Sequence, residues 1–459
     1  MTLIKSISGI RGTIGGFPNI NLTPLDIVRF TTAYAQWLAQ QHEGDLTVVT
    51  GRDARISGQM VHTLVNQTLI GMGIHVIDLG LSTTPTVAVA VPMEAAKGGI
   101  IVTASHNPKQ WNALKLLNAA GEFINGQVGQ QILAFAEAEE FQYAPVDKLG
   151  TIKSETTYIE KHIDVILALK RVDTDGIKKS SFKVVVDGVN STGGIAIPKL
   201  LERLGVDVVK IYCTPNGEFP HNPEPLREHL GDLCKSVKEH QADFGIAVDP
   251  DVDRLVFVDE QGELVGEEYT LVACADYILS KDVGATVSNL SSTRALADLT
   301  HSYGGEYTAS AVGEVNVVSE MKRVDAVIGG EGNGGIIYPD LHYGRDALVG
   351  VALFLSLLVE KKQAVSEIRA TYPAYFMSKN KINLAKGMDV DRILESIAEK
   401  YRDQKISTID GVKIDFSQSW VHLRKSNTEP IIRIYTEAKS TDAAATLAQQ
   451  FVTDIKSLF

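Results

Sequence analysis

The sequence predicts an α/β fold with three similar α/β units, followed by a C-terminal α+β unit. Three observations predict it. Short β-branched runs alternate with stretches of helical periodicity through most of the chain. That alternation comes round three times without a detectable sequence repeat. The last ~90 residues instead gather several short strands between two helices, the pattern of an antiparallel sheet.

The elements follow in order. Thr23 and Pro24 form an N-cap with proline at the first helical position, and Ile27, Phe30, Tyr34 and Leu38 recur at helical spacing. Leu46 to Thr50 is a strand, Gln59 to Gly71 a helix, Ile74 to Leu79 a strand, and Gly99 to Thr103 a strand running into a polar loop. The second round has strand Phe182 to Asp187, helix Gly194 to Leu204, strand Val206 to Cys213, helix Pro225 to His240 and strand Ala242 to Asp249. The third has helix Glu267 to Leu279, strand Ala285 to Leu290, helix Thr293 to His301 and strand Val324 to Ile328. The C-terminal part has helix Val390 to Tyr401, strands Val412 to Phe416, Trp420 to Leu423 and Ile431 to Thr436, and helix Asp442 to Leu458. Linkers are expected at Gln142 to Thr151, Asp259 to Glu263 and Ala370 to Lys379. Domain limits are placed at 1–150, 151–256, 257–370 and 371–459.

Composition bounds the function. The 459 residues, 44% hydrophobic and 22% charged, suit several packed cores rather than a disordered chain. A net charge of −12 argues against nucleic acid or an anionic membrane as the main partner. It also requires that any anionic ligand meet a local field opposed to the global one. Cys213, Cys234 and Cys274 are too few and too scattered for a disulfide framework or a tetrahedral zinc site, and are expected as buried thiols in a reducing compartment. The first twelve residues lack the apolar run of a signal peptide, and Leu348 to Val359 is too short to span a bilayer. The chain is expected to be soluble and cytoplasmic.

Four polar loops follow or abut strands, where α/β sheets place their ligand sites. Thr103-Ala104-Ser105-His106-Asn107-Pro108 offers a hydroxyl nucleophile with His106 adjacent and Lys115 on a following strand; taken alone it reads more readily as a side-chain-bonded turn. Asp249-Pro250-Asp251-Val252-Asp253-Arg254 sets three carboxylates at alternate positions of one extended segment, where a divalent cation would relieve their repulsion. An EF-hand is rejected, because Arg254 stands where that loop requires glycine and the flanks read as strands. The run from Gly329 to Gly335 permits close backbone approach, with Glu331 and Asn333 able to bond hydroxyls; a flexible turn fits as well. Arg424-Lys425-Ser426-Asn427-Thr428-Glu429-Pro430, with Arg433 beyond it, is an anion cradle or a polar hairpin turn. The basic loops at Arg11 and at Arg52-Asp53-Ala54-Arg55 share that ambiguity. Together the loops supply a nucleophile, a metal site, a hydroxyl reader and a phosphate clamp, which fits phosphoryl transfer on a sugar phosphate.

In this order, TASHNP, DPDVDR, GEGNGG and RKSNTEP resemble the active-serine, metal-binding, sugar-binding and phosphate-binding loops of the α-D-phosphohexomutase superfamily. The resemblance spans nearly the whole chain. It implies three mixed-sheet α/β domains and a mobile C-terminal α+β domain around a central cleft. It also implies a phosphoserine enzyme dependent on Mg²⁺. By motif, Ser105 would carry the phosphoryl group, and Asp249, Asp251 and Asp253 would hold Mg²⁺ together with a phosphoserine oxygen. Arg11, Arg254 and Lys115 would line that phosphate, with Lys115 and His106 as candidates for proton transfer. Glu331 and Asn333 would hold sugar hydroxyls. Arg424, Ser426, Asn427, Thr428 and Arg433 would hold the remote phosphate.

The chain departs from the family pattern at Asn333 and Gly335, where many hexose-specific members carry Ser and His, and at Pro250 and Val252, where glycines are frequent. The GEGNGG form resembles a branch labelled phosphoglucosamine mutase or phosphomannomutase, whereas TASHNP differs from the SASHNP common in bacterial phosphoglucosamine mutases. The expected reaction converts glucosamine 6-phosphate to glucosamine 1-phosphate through a bisphosphate. Phosphomannomutase or phosphoglucomutase activity, a non-catalytic phosphosugar sensor and a phosphatase are the alternatives. The expected partner is a small hexose phosphate, and the expected state is a monomer or homodimer.

Overall fold

The computed structural model describes residues 2–6, 9–384, 388–425 and 431–458. The chain divides into two compact units: Met1–Ile278 with Asn333–Arg369, and Leu279–Gly332 with Ala370–Phe459.

The first unit is built on two mixed sheets. The larger has seven strands in the order Ile4–Ser6, Gly9–Thr13, Trp111–Leu117, Gly98–Val102, Thr47–Arg52, His75–Leu81, Ile152–Ser154. Its first three pairings are antiparallel and its last three parallel. The register sets Lys115 beside Gly9 and Arg11 beside Ala113, so two basic residues lie on neighbouring strands. The smaller sheet runs Leu255–Val258, Phe244–Val248, Lys183–Asp187, Asp207–Ile211, antiparallel only at its first pair. The apolar stretch read from Leu348 to Val359 is helix Ala347–Lys361, buried along nearly its whole length. Among the described residues, no helix is long and apolar enough to cross a membrane.

The second unit carries the parallel strands Tyr307–Ser310, Thr286–Asn289 and Ile328–Glu331. It also holds an all-antiparallel sheet in the order Phe376–Asn383, Ile431–Ala438, Trp420–Lys425, Val412–Asp415, Lys405–Ser407. Helix Thr441–Lys456 packs Phe451 and Ile455 into the core of that sheet. The predicted succession of α/β layers and a terminal antiparallel sheet is therefore present.

Several predicted elements differ. Helix Thr84–Met93 has no polar face and hence no periodicity; eight of its residues, from Thr84 to Val91, are buried. The segment Pro225 to His240 is not one helix: a single 3₁₀ turn at Arg227–His229 precedes helix Gly231–His240. Val324 ends a helix rather than opening a strand, because Asp325 is left-handed (φ 50°) and the strand begins at Ile328. The expected linker Ala370 to Lys379 contains the start of strand Phe376–Asn383, whose one-sided, exposed edge position leaves almost no apolar alternation to read. Cys274 is buried, but Cys213 and Cys234 are only half-buried, and all three are free.

Candidate active site

The serine loop leaves the C-terminal end of strand Gly98–Val102, and the acidic loop leaves the end of strand Phe244–Val248. Ser105 sits in left-handed backbone (φ 49°), with its amide donating to Thr103 Oγ1 at 3.0 Å. Its hydroxyl donates to Asp249 Oδ2 at 2.6 Å, and His106 Nδ1 lies 3.3 Å from the same oxygen. Arg11, Ser105, His106 and Lys115 line one pocket.

Arg55 holds the serine loop from beneath. It is 1% exposed and donates from Nε to Asp53 Oδ2 (3.0 Å), from Nη1 to the carbonyls of Pro108 (2.8 Å) and Trp111 (3.1 Å), and from Nη2 to those of Asn107 (2.6 Å) and Ser105. Asp53 in turn accepts from Thr103 Oγ1 at 2.6 Å. The Arg52–Arg55 stretch, read from sequence as an anion cradle or a turn, therefore puts one arginine into the architecture of the Ser105 loop.

Asp249, Asp251 and Asp253 are all fully buried, and one carboxylate oxygen from each falls within 4.8 Å of the others. Asp249 Oδ1 accepts the amides of Asp253 and Arg254, both at 3.1 Å, which curls the loop. Val252 takes the left-handed turn (φ 65°), a strained choice for a β-branched residue, and is fully buried there. The Pro250 carbonyl accepts from Ser191 Oγ (2.7 Å) and Thr192 Oγ1 (2.8 Å). Thr84 donates its hydroxyl to Asp251 Oδ2 and its amide to the Asp251 carbonyl at 2.9 Å.

The charges of this site are strongly coupled. Lys115 Nζ bonds Asp251 Oδ2 (2.6 Å) and Asp253 Oδ2 (3.0 Å). Burial works against its charge, but the two carboxylates outweigh it and hold the lysine protonated. Burial likewise opposes ionisation of Asp253, and Arg345, Lys115 and Arg254 overcome it, so this carboxylate is held well below its usual range. Asp249 goes the other way: burial and then its neighbours Asp253 and Asp251 push it well above the ordinary value. His106 is pushed well below its ordinary value by burial and then by Arg254, which leaves a neutral imidazole beside Ser105. Arg254 pairs with Glu224 Oε1 at 3.0 Å.

The acidic triad suits a hard cation. Asp251 Oδ1 and Asp253 Oδ1 are buried without a hydrogen-bond partner, while their second oxygens are engaged by Lys115. Two orphaned carboxylate oxygens in a dry site are costly unless something charged meets them.

The first unit thus brings together Ser105, His106, Lys115, Arg11, Arg254 and the three aspartates, and places Asn333, whose Oδ1 accepts the Gly335 amide at 3.3 Å. In the second unit Glu331 is buried, its Oε1 accepting from Asn289 Nδ2 (2.9 Å) and from the Gly313 amide (3.2 Å). Arg424 and Arg433 are cross-strand partners, Arg424 lying 2.8 Å from Asp410 and Arg433 exposed. Ser426, Asn427 and Thr428 lie outside the described residues. Sequence reasoning missed Thr84 and Arg345. A Thr-Thr-Pro start like that at Thr23-Pro24, and an Asp346 cap before an apolar run, were the available signals.

Fold and site together define a multidomain α/β protein with a buried serine hydroxyl set against a cluster of three aspartates that could hold a cation. Comparison with known proteins makes this specific. Models of phosphoglucomutase/phosphomannomutase α/β/α domains I, II and III match residues 3–143, 160–262 and 266–375, and the model of the C-terminal domain matches residues 359–454. A phosphoglucomutase/phosphomannomutase of Thermococcus kodakarensis is 35% identical over 439 residues, covering 94% of this chain and 95% of the relative. A phosphoglucosamine/phosphogalactosamine mutase of Sulfurisphaera tokodaii is 32% identical, covering 96% of each. The crystal structure of a phosphoglucomutase/phosphomannomutase family protein from Burkholderia thailandensis superposes with a TM-score of 0.86 at 25% identity, over 99% of this chain and 98% of that one. The chain belongs to the phosphoglucomutase/phosphomannomutase family, whose members are phosphosugar mutases.

Proposed function

We propose that the protein interconverts glucosamine 6-phosphate and glucosamine 1-phosphate through a phosphorylated Ser105 and a sugar bisphosphate. The observation that carries the mechanism is Ser105 Oγ at 2.6 Å from one acid of a triad that retains two orphaned oxygens. The aminosugar is supported by the glucosamine named among the relatives and by the GEGNGG loop.

Ser105, Asp249, Asp251 and Asp253 would hold the cation, proposed as Mg²⁺. When bound, it would neutralise charge on the transferring phosphoryl group. The chain's own residues do the rest. Lys115, bonded to Asp251 (2.6 Å) and Asp253 (3.0 Å), brings positive charge to the phosphoryl group and is, with His106, a candidate for proton transfer at the sugar hydroxyl. His106, neutral and beside Ser105, takes the proton of the attacking sugar hydroxyl as the Ser105–phosphorus bond breaks and the sugar–phosphorus bond forms. After the bisphosphate has turned end for end, the same groups work in reverse and Ser105 recovers a phosphoryl group. Arg11 and Arg254 bind phosphate oxygens at the serine. Arg424, Ser426, Asn427, Thr428 and Arg433 bind the remote phosphate, and Glu331 and Asn333 accept either sugar orientation. The basic residues supply the local field that an acidic chain needs to bind an anion. The four-domain division, cytoplasmic location and a monomer or homodimer complete the proposal.

Side-by-side coupled assays on glucosamine, mannose and glucose phosphates test it. Preference for the glucosamine pair is expected. Preference for mannose or glucose phosphates would reassign the substrate, and activity on none, with Ser105 phosphorylated and Mg²⁺ present, would refute the catalytic reading.

A further inference from the structure

Arg345 lies in none of the four motif loops, yet it reaches the acidic triad. Its side chain is 10% exposed, and Nη2 donates to Asp253 Oδ2 at 2.8 Å while Nη1 stands 3.5 Å from Asn333 Oδ1. Its backbone is pinned against the acidic loop. The Ala347 amide donates to the Val252 carbonyl at 3.2 Å, and the Leu255 amide to the Gly334 carbonyl at 3.0 Å. The next residue, Asp346, is locked on both oxygens: Oδ1 caps helix Ala347–Lys361, and Oδ2 faces His162 Nε2 (2.9 Å) and His342 Nε2 (3.3 Å).

Gly335 completes the arrangement. Its φ is not in the left-handed region, so backbone geometry does not demand glycine there. Space does: a Cβ at this position would stand 2.3 Å from Arg345 Cδ and 3.0 Å from Cγ. The arginine stem passes through the volume any other residue at 335 would fill.

We propose that Arg345 is a positioning residue of the metal site. It grips one oxygen of Asp253 so that the other faces the cation, and Gly335 is glycine to let Arg345 through. Asp253 Oδ2 already carries Lys115, but that ammonium is a compact charge on a flexible stem and is shared with Asp251, whereas the guanidinium is a planar fork set by its own pinned backbone. The proposal rests on the metal-binding reading of the aspartates.

The test is Mn²⁺ alone, titrated without substrate into the full-length chain and followed by the electron paramagnetic resonance of free Mn²⁺. Arg345→Met and Gly335→Ala are each expected to weaken Mn²⁺ binding ~10–100-fold, the range for loss of an outer-shell partner. The double variant is expected within ~3-fold of Arg345→Met, since both changes remove one interaction. Arg345→Lys, which keeps the charge without the fork, is expected between wild type and Arg345→Met. Gly335→Ala removes no polar group, so it keeps the test readable if Arg345→Met does not fold. Unchanged or tighter Mn²⁺ binding in both single variants would overturn the proposal, and additive losses in the double would overturn the role of Gly335. Failure of the wild type to bind Mn²⁺ would instead refute the metal reading itself.

Discussion

Replacing Arg55 by methionine should damage the protein more than any surface arginine could. The substitution keeps much of the apolar stem and deletes a guanidinium with five hydrogen-bond contacts, four of them to carbonyls of the serine loop between Ser105 and Trp111. It also strips the partner from Asp53, which is fully buried. Removing one partner of a buried ion pair costs about 3–5 kcal/mol, because the remaining charge has neither water nor counterion. Each orphaned carbonyl adds to this only so far as the loop cannot relax toward solvent. The first unit should lose about 3–5 kcal/mol, a fall of about 5–8 °C in its melting temperature for a unit of its size. The nucleophile would no longer be held, and a misplacement of about 1 Å costs on the order of 100-fold in rate. Differential scanning calorimetry, turnover and amide exchange across residues 103–111 would read these effects together. Arg55→Met combined with Asp53→Asn should be more stable than Arg55→Met alone, since the unpaired charge is gone. A loss below about 1 kcal/mol with turnover intact would refute the idea that Arg55 holds the loop.

Other expectations follow from particular side chains. Asp251→Asn should raise the Mg²⁺ concentration needed for half-maximal activity by ~10-fold or more, in a metal titration after chelation with EDTA; an unchanged titration would remove Asp251 from the ligand set. Arg424→Ala should weaken binding of both the 1- and the 6-monophosphate by ~10–100-fold, the loss of charged hydrogen bonds to phosphate; impairment of one alone would contradict a clamp that serves both. His221 donates from Nε2 to Asp187 Oδ2 (2.9 Å) and from Nδ1 to the Asn222 carbonyl (2.8 Å). Burial opposes its charge, but the bond to Asp187 outweighs it, so the folded-state value is raised. Its stabilising contribution should be complete below the ordinary histidine value of about 6.5 and fade as pH rises through the folded value. The melting-temperature gap between wild type and His221→Gln should therefore be widest in mild acid, and a gap that widens with pH would reverse the assignment.

What the sequence made legible were features carried by local chemistry. Three acids at alternate positions, a serine beside a histidine, and β-branched runs separated by amphipathic helices could all be read without knowing what lay opposite them. What escaped reading was set by distant contacts. Arg345 looks like an ordinary residue before an apolar helix until the fold brings it 92 positions away, to Asp253. Arg55 resembles a surface arginine, and only burial under the serine loop shows that it binds carbonyls. Helix Thr84–Met93 and edge strand Phe376–Asn383 fail in opposite ways: one is buried all round, the other exposed on most of its length, and periodicity speaks only for elements with two unlike faces. Gly335, a bare departure in the sequence, gains a reason once the arginine stem beside it is seen.

The central claim is phosphoryl exchange between a sugar phosphate and Ser105, and ³¹P nuclear magnetic resonance tests it most directly. Glucosamine 6-phosphate, Mg²⁺ and a trace of the matching bisphosphate would be incubated with wild type and with Ser105→Ala. The account predicts that the 1-phosphate resonance grows to a stable equilibrium with wild type and is absent with Ser105→Ala. Steady release of inorganic phosphate without the 1-phosphate, or equal conversion by Ser105→Ala, would contradict it.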